Sequence, residues 1–348
     1  MELTVSLEKK LRDFTLRTDF TVKNEVFALL GASGCGKSMT LKCIAGIERP
    51  DKGRIVLDGE ILFDSGNGID LPPQKRQVGY LFQNYALFPN MTVAENLRFV
   101  MKEKSEDREK KIQELLERFH LAGLENAYPA ALSGGQQQRA AFARILAARA
   151  KLLLLDEPFS ALDSYLKWQL ETELMDLLPA YDKTALLVSH DRGEVYRLAD
   201  KIAIINRGQL EPPTDKKELF RHPRTLAATL LTGCKNISAA TREDESHIRA
   251  TEWGLVLKTA ETPPPVLRYA GIRAHFMEPR ESAAGENIFP MEAVRVIEDT
   301  FSYIVMVRPQ GSQARPLRWE LDKERWREIW EKELFLYFPP EHIMLMER

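Results

Sequence analysis

The chain predicts an α/β fold: a mostly parallel sheet with helices on both faces, followed by a smaller strand-rich C-terminal domain. Three observations carry this expectation. The octapeptide Gly31-Ala32-Ser33-Gly34-Cys35-Gly36-Lys37-Ser38 satisfies G-x-x-x-x-G-K-[ST] between an apolar run at 26–30 and a breaker-free helical stretch at 39–45. Short apolar runs then alternate with helical patterns to about residue 205. After Thr232 the pattern changes to closely spaced short strands.

Length and composition bound the reading. With 348 residues, 44% hydrophobic and 29% charged, the chain is long enough for about two or three domains with buried cores. A net charge of −2 supplies no global basic field, so nucleic acid is not an expected partner. No apolar run approaches the roughly 18 residues that span a bilayer, and the start, with Glu2, Glu8, Lys9 and Lys10, carries no signal-peptide core. The three cysteines, Cys35, Cys43 and Cys234, form no C-x-x-C pair and support neither a disulfide framework nor a structural zinc site. The expectation is a cytosolic protein.

Taken in order, Leu3, Val5 and Leu7, then Phe14, Leu16, Phe20 and Val22, predict antiparallel strands that lead into the phosphate-loop strand. Arg54-Ile55-Val56-Leu57 before Asp58-Gly59 predicts a strand ending in a hairpin turn. The strand 77–82 delivers Gln83. Residues 92–120 read as helical, with a charged stretch at 102–111 that suits a solvated surface. An Ala-rich helix reaches about residue 150. The run Leu152-Leu153-Leu154-Leu155 ends in Asp156-Glu157-Pro158, a helix follows from 164 to about 178, and the strand 184–188 delivers Ser189-His190. Ligand chemistry in such sheets gathers at the carboxyl ends of strands, where Lys37, Gln83, Asp156, Glu157 and His190 all fall.

These residue types suit triphosphate chemistry. Glycines let successive N–H groups curl around an anion, and the following helix points its positive end at it. Gly31, Ser33, Gly34, Cys35, Gly36, Lys37, Ser38 and Met39 would form that cradle, Lys37 bridging phosphate oxygens and Ser38 ligating Mg²⁺. Asp156 can hold Mg²⁺ as well, and Glu157 is placed to polarise an attacking water. The competing reading of Asp156-Glu157-Pro158 is a helix cap; that of His190 is a core histidine at a strand end. Cys35 reads as a small filler residue, whose alkylation should nevertheless block the loop.

Leu132-Ser133-Gly134-Gly135-Gln136-Gln137-Gln138-Arg139, together with the phosphate loop, Gln83, Ser160-Ala161-Leu162-Asp163 and His190, resembles the ATP-binding-cassette (ABC) ATPases over roughly the first two-thirds of the chain. The resemblance implies ATP and Mg²⁺ as cofactors, with Glu157, His190 and Gln83 catalytic and Ser38, Gln83 and Asp156 at the metal. It implies a head-to-tail dimer in which Ser133, Gly135 and Gln136 of one copy close over the ATP of the other, and Asp163 couples the two sites. Phe14 is the aromatic candidate for stacking the adenine, with plain core packing the alternative. The stretch Asn84-Tyr85-Ala86-Leu87-Phe88-Pro89 would dock a membrane permease, or pack the helical insert, or both. The protein is then expected at the cytoplasmic face of the membrane as a peripheral subunit, served indirectly by a solute-binding protein.

The expected division is an ATPase domain over 1–231, with a helical subdomain at about 84–150, and a β-barrel of oligomer-binding type over 232–348 that resembles the regulatory domain of importer ATPases. Gly271-Ile272-Arg273 and Asn287-Ile288-Phe289-Pro290 are its most recognisable pieces. Within importers, the stretches 53–59, 74–80 and 232–236 resemble molybdate-importer ATPases, and sulfate importers share much of this wording. Molybdate or tungstate is therefore the expected solute; sulfate, sugar, polyamine or iron importers, and a soluble non-transport ABC ATPase, are the alternatives. Ser302 and nearby amides are the residues expected to serve an oxyanion in the C-terminal domain.

Overall fold

A computed structural model of the chain describes residues 1–101, 105–160, 164–181 and 184–348. Asp163 and the rest of 161–163 lie outside the described residues. Two compact units are present, Met1–Lys216 and Lys217–Arg348.

The first unit opens with β1 (Glu2–Lys10), β2 (Thr15–Lys23) and β3 (Val26–Leu30), then α1 (Lys37–Ala45). Next come β4 (Lys52–Leu57), β5 (Glu60–Asp64), β6 (Ile69–Asp70) and β7 (Val78–Leu81). The helical part holds α2 (Val93–Val100), α3 (Ser105–Arg118) and α4 (Gly134–Ala147). It is followed by β8 (Leu152–Asp156), α5 (Ser164–Tyr181), β9 (Ala185–Ser189), α6 (Arg192–Leu198), β10 (Lys201–Asn206), β11 (Gln209–Leu210) and β12 (Thr214–Asp215). The strand order is β6-β5-β4-β1-β2-β11-β10-β3-β9-β8-β7, with β12 on β10.

Sequence pattern explains which part of this sheet is parallel. β1 and β2 alternate buried and exposed residues and pair antiparallel, whereas β8 and β9 are buried at every position. All-apolar strands survive only where both faces are covered, which is the condition of a parallel sheet between helices. The neighbours β10, β3, β9, β8 and β7 are parallel to one another. Register sets the site: Leu30 pairs with Ser189, Asp156 with Val188, and Leu81 with Leu155. The phosphate loop, Glu157, His190 and the Phe82-Gln83 segment therefore leave the sheet at one end. Leu3, Val5, Phe20, Phe27, Leu41, Ile44, Leu154 and Val188 share one core, with the Phe20 and Phe27 rings stacked at 4.9 Å.

Two helix starts use the same device. Thr92 caps α2 with Glu95, and Ser133 caps α4 with Gln136; each pair exchanges side-chain and backbone hydrogen bonds across the first turn. α1 ends at Gly46, whose left-handed φ of 78° closes the helix. There Arg76 donates to the Cys43 and Ile44 carbonyls at 2.8 and 2.9 Å, to Leu71 O at 2.7 Å and to Asp70 at 2.9 Å.

The second unit begins with α7 (Lys216–Arg221) and α8 (Leu226–Leu231), and contains β13 (Asn236–Arg242), β14 (His247–Ala250), β15 (Leu255–Lys258), β16 (Tyr269–Ile272), β17 (Glu278–Arg280), β18 (Ile288–Glu298), β19 (Ser302–Pro309), β20 (Leu317–Asp322), α9 (Lys323–Ile329), β21 (Leu334–Tyr337) and β22 (Met344–Met346). Two antiparallel sheets, β15-β14-β13-β16-β22 and β17-β21-β18-β19-β20, enclose one core that includes Ile248, Ile272, Val305, Trp319 and Leu336. This is the small curled β domain that the strand spacing predicts. Its start falls before the expected 231/232 division because hydrogen bonds hold α7 and α8 to it. Arg273 donates to Phe220 O and Thr232 O, both at 2.7 Å, and Leu226 N donates to Arg348 O at 2.8 Å.

Candidate nucleotide site

The phosphate loop lies between β3 and α1. Lys37 arches back over it, Nζ donating to Gly31 O at 2.8 Å and Ala32 O at 2.9 Å. Gly31, Cys35 and Gly36 are buried while Ser33 and Gly34 are exposed. Glycine is required at two points: a Cβ on Gly31 would lie 2.4 Å from Ile205 O, and one on Gly36, at φ 113°, would lie 2.8 Å from Leu16 Cδ1. The loop is stitched to the turn after β10, where Gly208 N donates to Cys35 O at 3.2 Å. The first turn of α1 leaves its N–H groups without helical partners, the arrangement that accepts an anion. Met39 packs half-buried against the core.

At the ends of β8 and β9 the other expected residues meet this loop. Ser38 Oγ donates to Asp156 Oδ1 at 2.7 Å, and Tyr80 OH donates to Oδ2 at 2.7 Å. Burial, with the Asp156 carboxylate beside it, pushes the Tyr80 phenol well above its ordinary pKa and keeps it a donor. The Ser38 and Asp156 donors are oxygens, the set that suits a hard cation such as Mg²⁺, and Gln83 can add another oxygen. Glu157 sits at φ 46°, a strained value for a non-glycine residue, with its N–H held by Val188 O at 2.9 Å. His190 Nδ1 is 3.3 Å from Glu157 Oε2. Gln83 Nε2 donates to Ser160 Oγ at 3.3 Å, and Ser160 Oγ donates to Glu157 O at 3.1 Å. Two hydroxyl donors on one buried carboxylate, and an imidazole against the next, make a site able to hold charge and move a proton.

Ser133, Gly135 and Gln136 stand apart from this cluster. Their hydrogen bonds, Gln136 N to Ser133 Oγ at 3.3 Å and Ser133 N to Gln136 Oε1 at 2.9 Å, serve their own helix start and reach no phosphate-loop residue among the described residues. The same helix touches the site from behind: Gln138 Nε2 donates to Pro158 O. Phe14 is half-buried, and a Cβ on Gly208 would meet its ring at 2.4 Å, so it flanks the phosphate loop through Gly208.

Of the stretch 84–89, Tyr85 is buried while Phe88 is exposed, its ring 4.8 Å from that of Phe99. Arg144 donates to Ala86 O at 2.7 Å and Tyr85 O at 3.1 Å, holding both in left-handed conformations. Ser302 Oγ lies 3.5 Å from the Glu320 carboxylate, with which Arg318 pairs at 3.2 Å. The contacts of Tyr80 with Asp156, of Gln138 with Pro158 and of Arg144 with the 85–86 carbonyls were not read from the sequence. A tyrosine three residues before Gln83 in an otherwise apolar strand was the available signal for the first.

The fold and the site together define a P-loop nucleotide-binding protein of the ATP-binding-cassette type. Residues 17–160 match the family described as ABC transporter. The chain is 41% identical over 241 residues to the spermidine/putrescine import ATP-binding protein PotA of Nitrosospira multiformis, covering 68% of this chain and 65% of that protein. It is 39% identical over 247 residues to the sulfate/thiosulfate import ATP-binding protein CysA of Vibrio vulnificus, covering 68% of this chain and 70% of that protein. A solved dimeric ATP-binding cassette, in a post-hydrolysis state with ADP and Pi, superposes with a TM-score of 0.52 at 28% identity, over 62% of this chain and 99% of that one. This chain belongs to the ABC transporter family. The match spans just under two-thirds of the PotA relative's length.

Proposed function

We propose that this chain binds and hydrolyses ATP to drive solute import through a separate membrane permease. The observation that carries the reading is the Ser38–Asp156 hydrogen bond at 2.7 Å beside the Glu157–His190 contact at 3.3 Å, all at the end of the sheet where the phosphate loop begins. In this reading the loop N–H groups and Lys37 bind the β- and γ-phosphates. Glu157 takes up the proton of the attacking water, and His190 touches the γ-phosphate from the adjoining strand end. Mg²⁺, held by Ser38, Asp156 and Gln83, would supply positive charge to the phosphate oxygens. Phe14 is the proposed support for the adenine.

The signature residues Ser133, Gly135 and Gln136 are proposed to act on a second copy's nucleotide. Three things support this: their N–H groups open a helix, they do not join the phosphate loop of their own chain, and the solved cassette above is dimeric. Phe88 and Phe99 are the proposed permease contact, which would place the chain at the cytoplasmic face of the membrane. Among the described residues no helix is long and apolar enough to cross one. The second unit is proposed as a regulatory domain.

The solute reading follows the relatives' names. They speak of polyamines and of sulfate or thiosulfate, and neither supports the molybdate expectation. We infer a polyamine as the first solute class to test and sulfate as the second.

Glu157→Gln tests the catalytic reading. It should keep ATP affinity, lower turnover by about 10²–10⁴-fold, and shift the ATP-bound protein to a dimer in size-exclusion chromatography. Turnover at the wild-type rate would overturn it. In a reconstituted transporter with its binding protein, ATPase stimulation by spermidine or putrescine, by sulfate, or by molybdate then names the solute.

A further inference from the structure

We propose that Tyr80 is a positioning residue for the metal site: its phenol holds one oxygen of the Asp156 carboxylate so that the other faces Ser38 and the cation accompanying the nucleotide. The proposal rests on the ATP-site reading above. It begins from strand register. Tyr80 on β7 pairs with Leu154 on β8, and Asp156 lies two residues further along the same strand. Side chains at i and i+2 share a face of the sheet, so Tyr80, Leu154 and Asp156 project to one side. The long phenol reaches the carboxylate diagonally, ending 2.7 Å from Oδ2. Its ring is fixed against Phe82, centroids 4.4 Å apart, and against the core of the first unit.

Asp156 is only 6% exposed. An ionised carboxylate is acceptor-only, and in a buried site each oxygen needs a donor. Ser38 serves Oδ1 and Tyr80 serves Oδ2, both at 2.7 Å. The two donors have different futures in the ATP-site reading. Ser38 and Asp156 are the residues that would hold the cation, whereas Tyr80 would keep its hydrogen bond to Oδ2. The terminal torsion of an aspartate is broad, so without the phenol the carboxylate loses the contact that sets its plane. Outer partners of this kind typically support metal affinity by 10–100-fold.

Tyr80→Phe removes the hydroxyl and leaves the ring. In the full-length chain, binding of a fluorescent ATP analogue is measured in EDTA and across a Mg²⁺ titration. The expected result is unchanged affinity in EDTA and a Mg²⁺ midpoint raised about tenfold. In an Asp156→Asn background, Y80F should then add nothing, because the two act as one unit. An unchanged Mg²⁺ midpoint in Y80F overturns the proposal. So does loss of EDTA binding, since the hydroxyl would then serve the fold rather than the metal. A wild-type chain whose nucleotide binding ignores Mg²⁺ overturns the ATP-site reading first and the proposal with it; wild-type Mg²⁺ dependence with an indifferent Y80F leaves that reading standing and sinks only the role of Tyr80.

Discussion

Lys167 Nζ on α5 donates to the Asp191 carboxylate at 2.6 Å, tying that helix to the residue that follows His190. The same ammonium lies 2.6 Å from Glu194 Oε1, and Ser189 Oγ donates to the other Glu194 oxygen at 2.5 Å. Ser189 in turn accepts from Asp191 N at 2.9 Å. Both neighbours of His190 are thus fastened to one cation. Replacing Lys167 by Met should leave ATP affinity unchanged and lower kcat about tenfold, a barrier change of about 1.4 kcal/mol. Lys167→Arg should restore most of it. A K167M chain with wild-type kcat would reduce the contact to a surface ion pair.

The pH behaviour of that network has a definite sign. Burial opposes the Lys167 charge, but the hydrogen bonds it donates to the Asp191 and Glu194 carboxylates carry its pKa above the ordinary lysine value. Burial likewise opposes the Asp191 charge, and is outweighed by Lys167 and by the Glu194 and Gly193 amides, which hold that carboxyl below the ordinary aspartate value. The raised lysine stabilises at pH below its unfolded value, and its contribution is lost as pH rises through the folded one. The lowered aspartate stabilises above its unfolded value, and its contribution is lost as pH falls through the folded one. The stability difference between wild type and K167M should therefore be flat between about pH 5 and 10 and shrink outside that window. Urea melts across pH would reveal a slope inside it if the pairing were otherwise.

Arg76 is 1% exposed and closes the C-terminus of the helix that follows the phosphate loop. Arg76→Met removes the donor to the Ile44 carbonyl and leaves the Cys43 carbonyl with Gly46 N alone; an unsatisfied buried group costs about 1–3 kcal/mol. The expected loss is about 3 kcal/mol of stability, read by denaturant melts of the full chain, with nucleotide affinity falling as α1 loosens. A change below about 0.5 kcal/mol would mean that water replaces the guanidinium.

The three thiols should be silent in the native chain. Burial pushes Cys43 up to about 12 and Cys234 up to about 11, and raises Cys35 as well despite Lys37 nearby. At pH 8 the thiolate fraction of Cys43 is then on the order of one in ten thousand. Thiol reagents should label none of them quickly before denaturation and all three afterwards. When Cys35 does react, at higher pH, ATP should slow it; fast native labelling would place a thiol outside the core.

Asn96 is fully buried and holds the loop before α2. Its Nδ2 donates to Phe88 O, Met91 O and Thr92 O at 3.1, 3.1 and 3.0 Å, and its Oδ1 accepts from Phe88 N at 2.8 Å. Asn96→Ala should weaken copurification with the permease several-fold while ATP affinity stays within about twofold, because Phe88 loses its anchor and the phosphate loop does not. Undiminished copurification would place the permease contact elsewhere.

Much of the site was legible along the chain because its signals are local. The phosphate loop is one octapeptide, Asp156 and Glu157 terminate an apolar strand, and the signature is the single stretch 132–139. What was not legible lies across the sheet. Tyr80 and Asp156 are separated by 76 residues, and only the β7–β8 register makes them neighbours. The placement of α7 and α8 depends on contacts of the same kind: they look like a continuation of the alternating pattern, and Arg273 binds the carbonyls of Phe220 and Thr232.

Residue order along this chain was enough to pick out the glycine-rich loop 31–38 between strand and helix, the strand-end carboxylates and the change to a β-rich second unit, since backbone periodicity and turn chemistry act over a few residues. Which side chains hold those groups in place was settled by packing. Tyr80 on Asp156, Lys167 on Asp191 and Arg76 on the end of α1 are polar partners that burial makes obligatory. A buried charge or carbonyl must find a donor, and which donor it finds depends on strand register and helix placement that no single stretch of sequence contains.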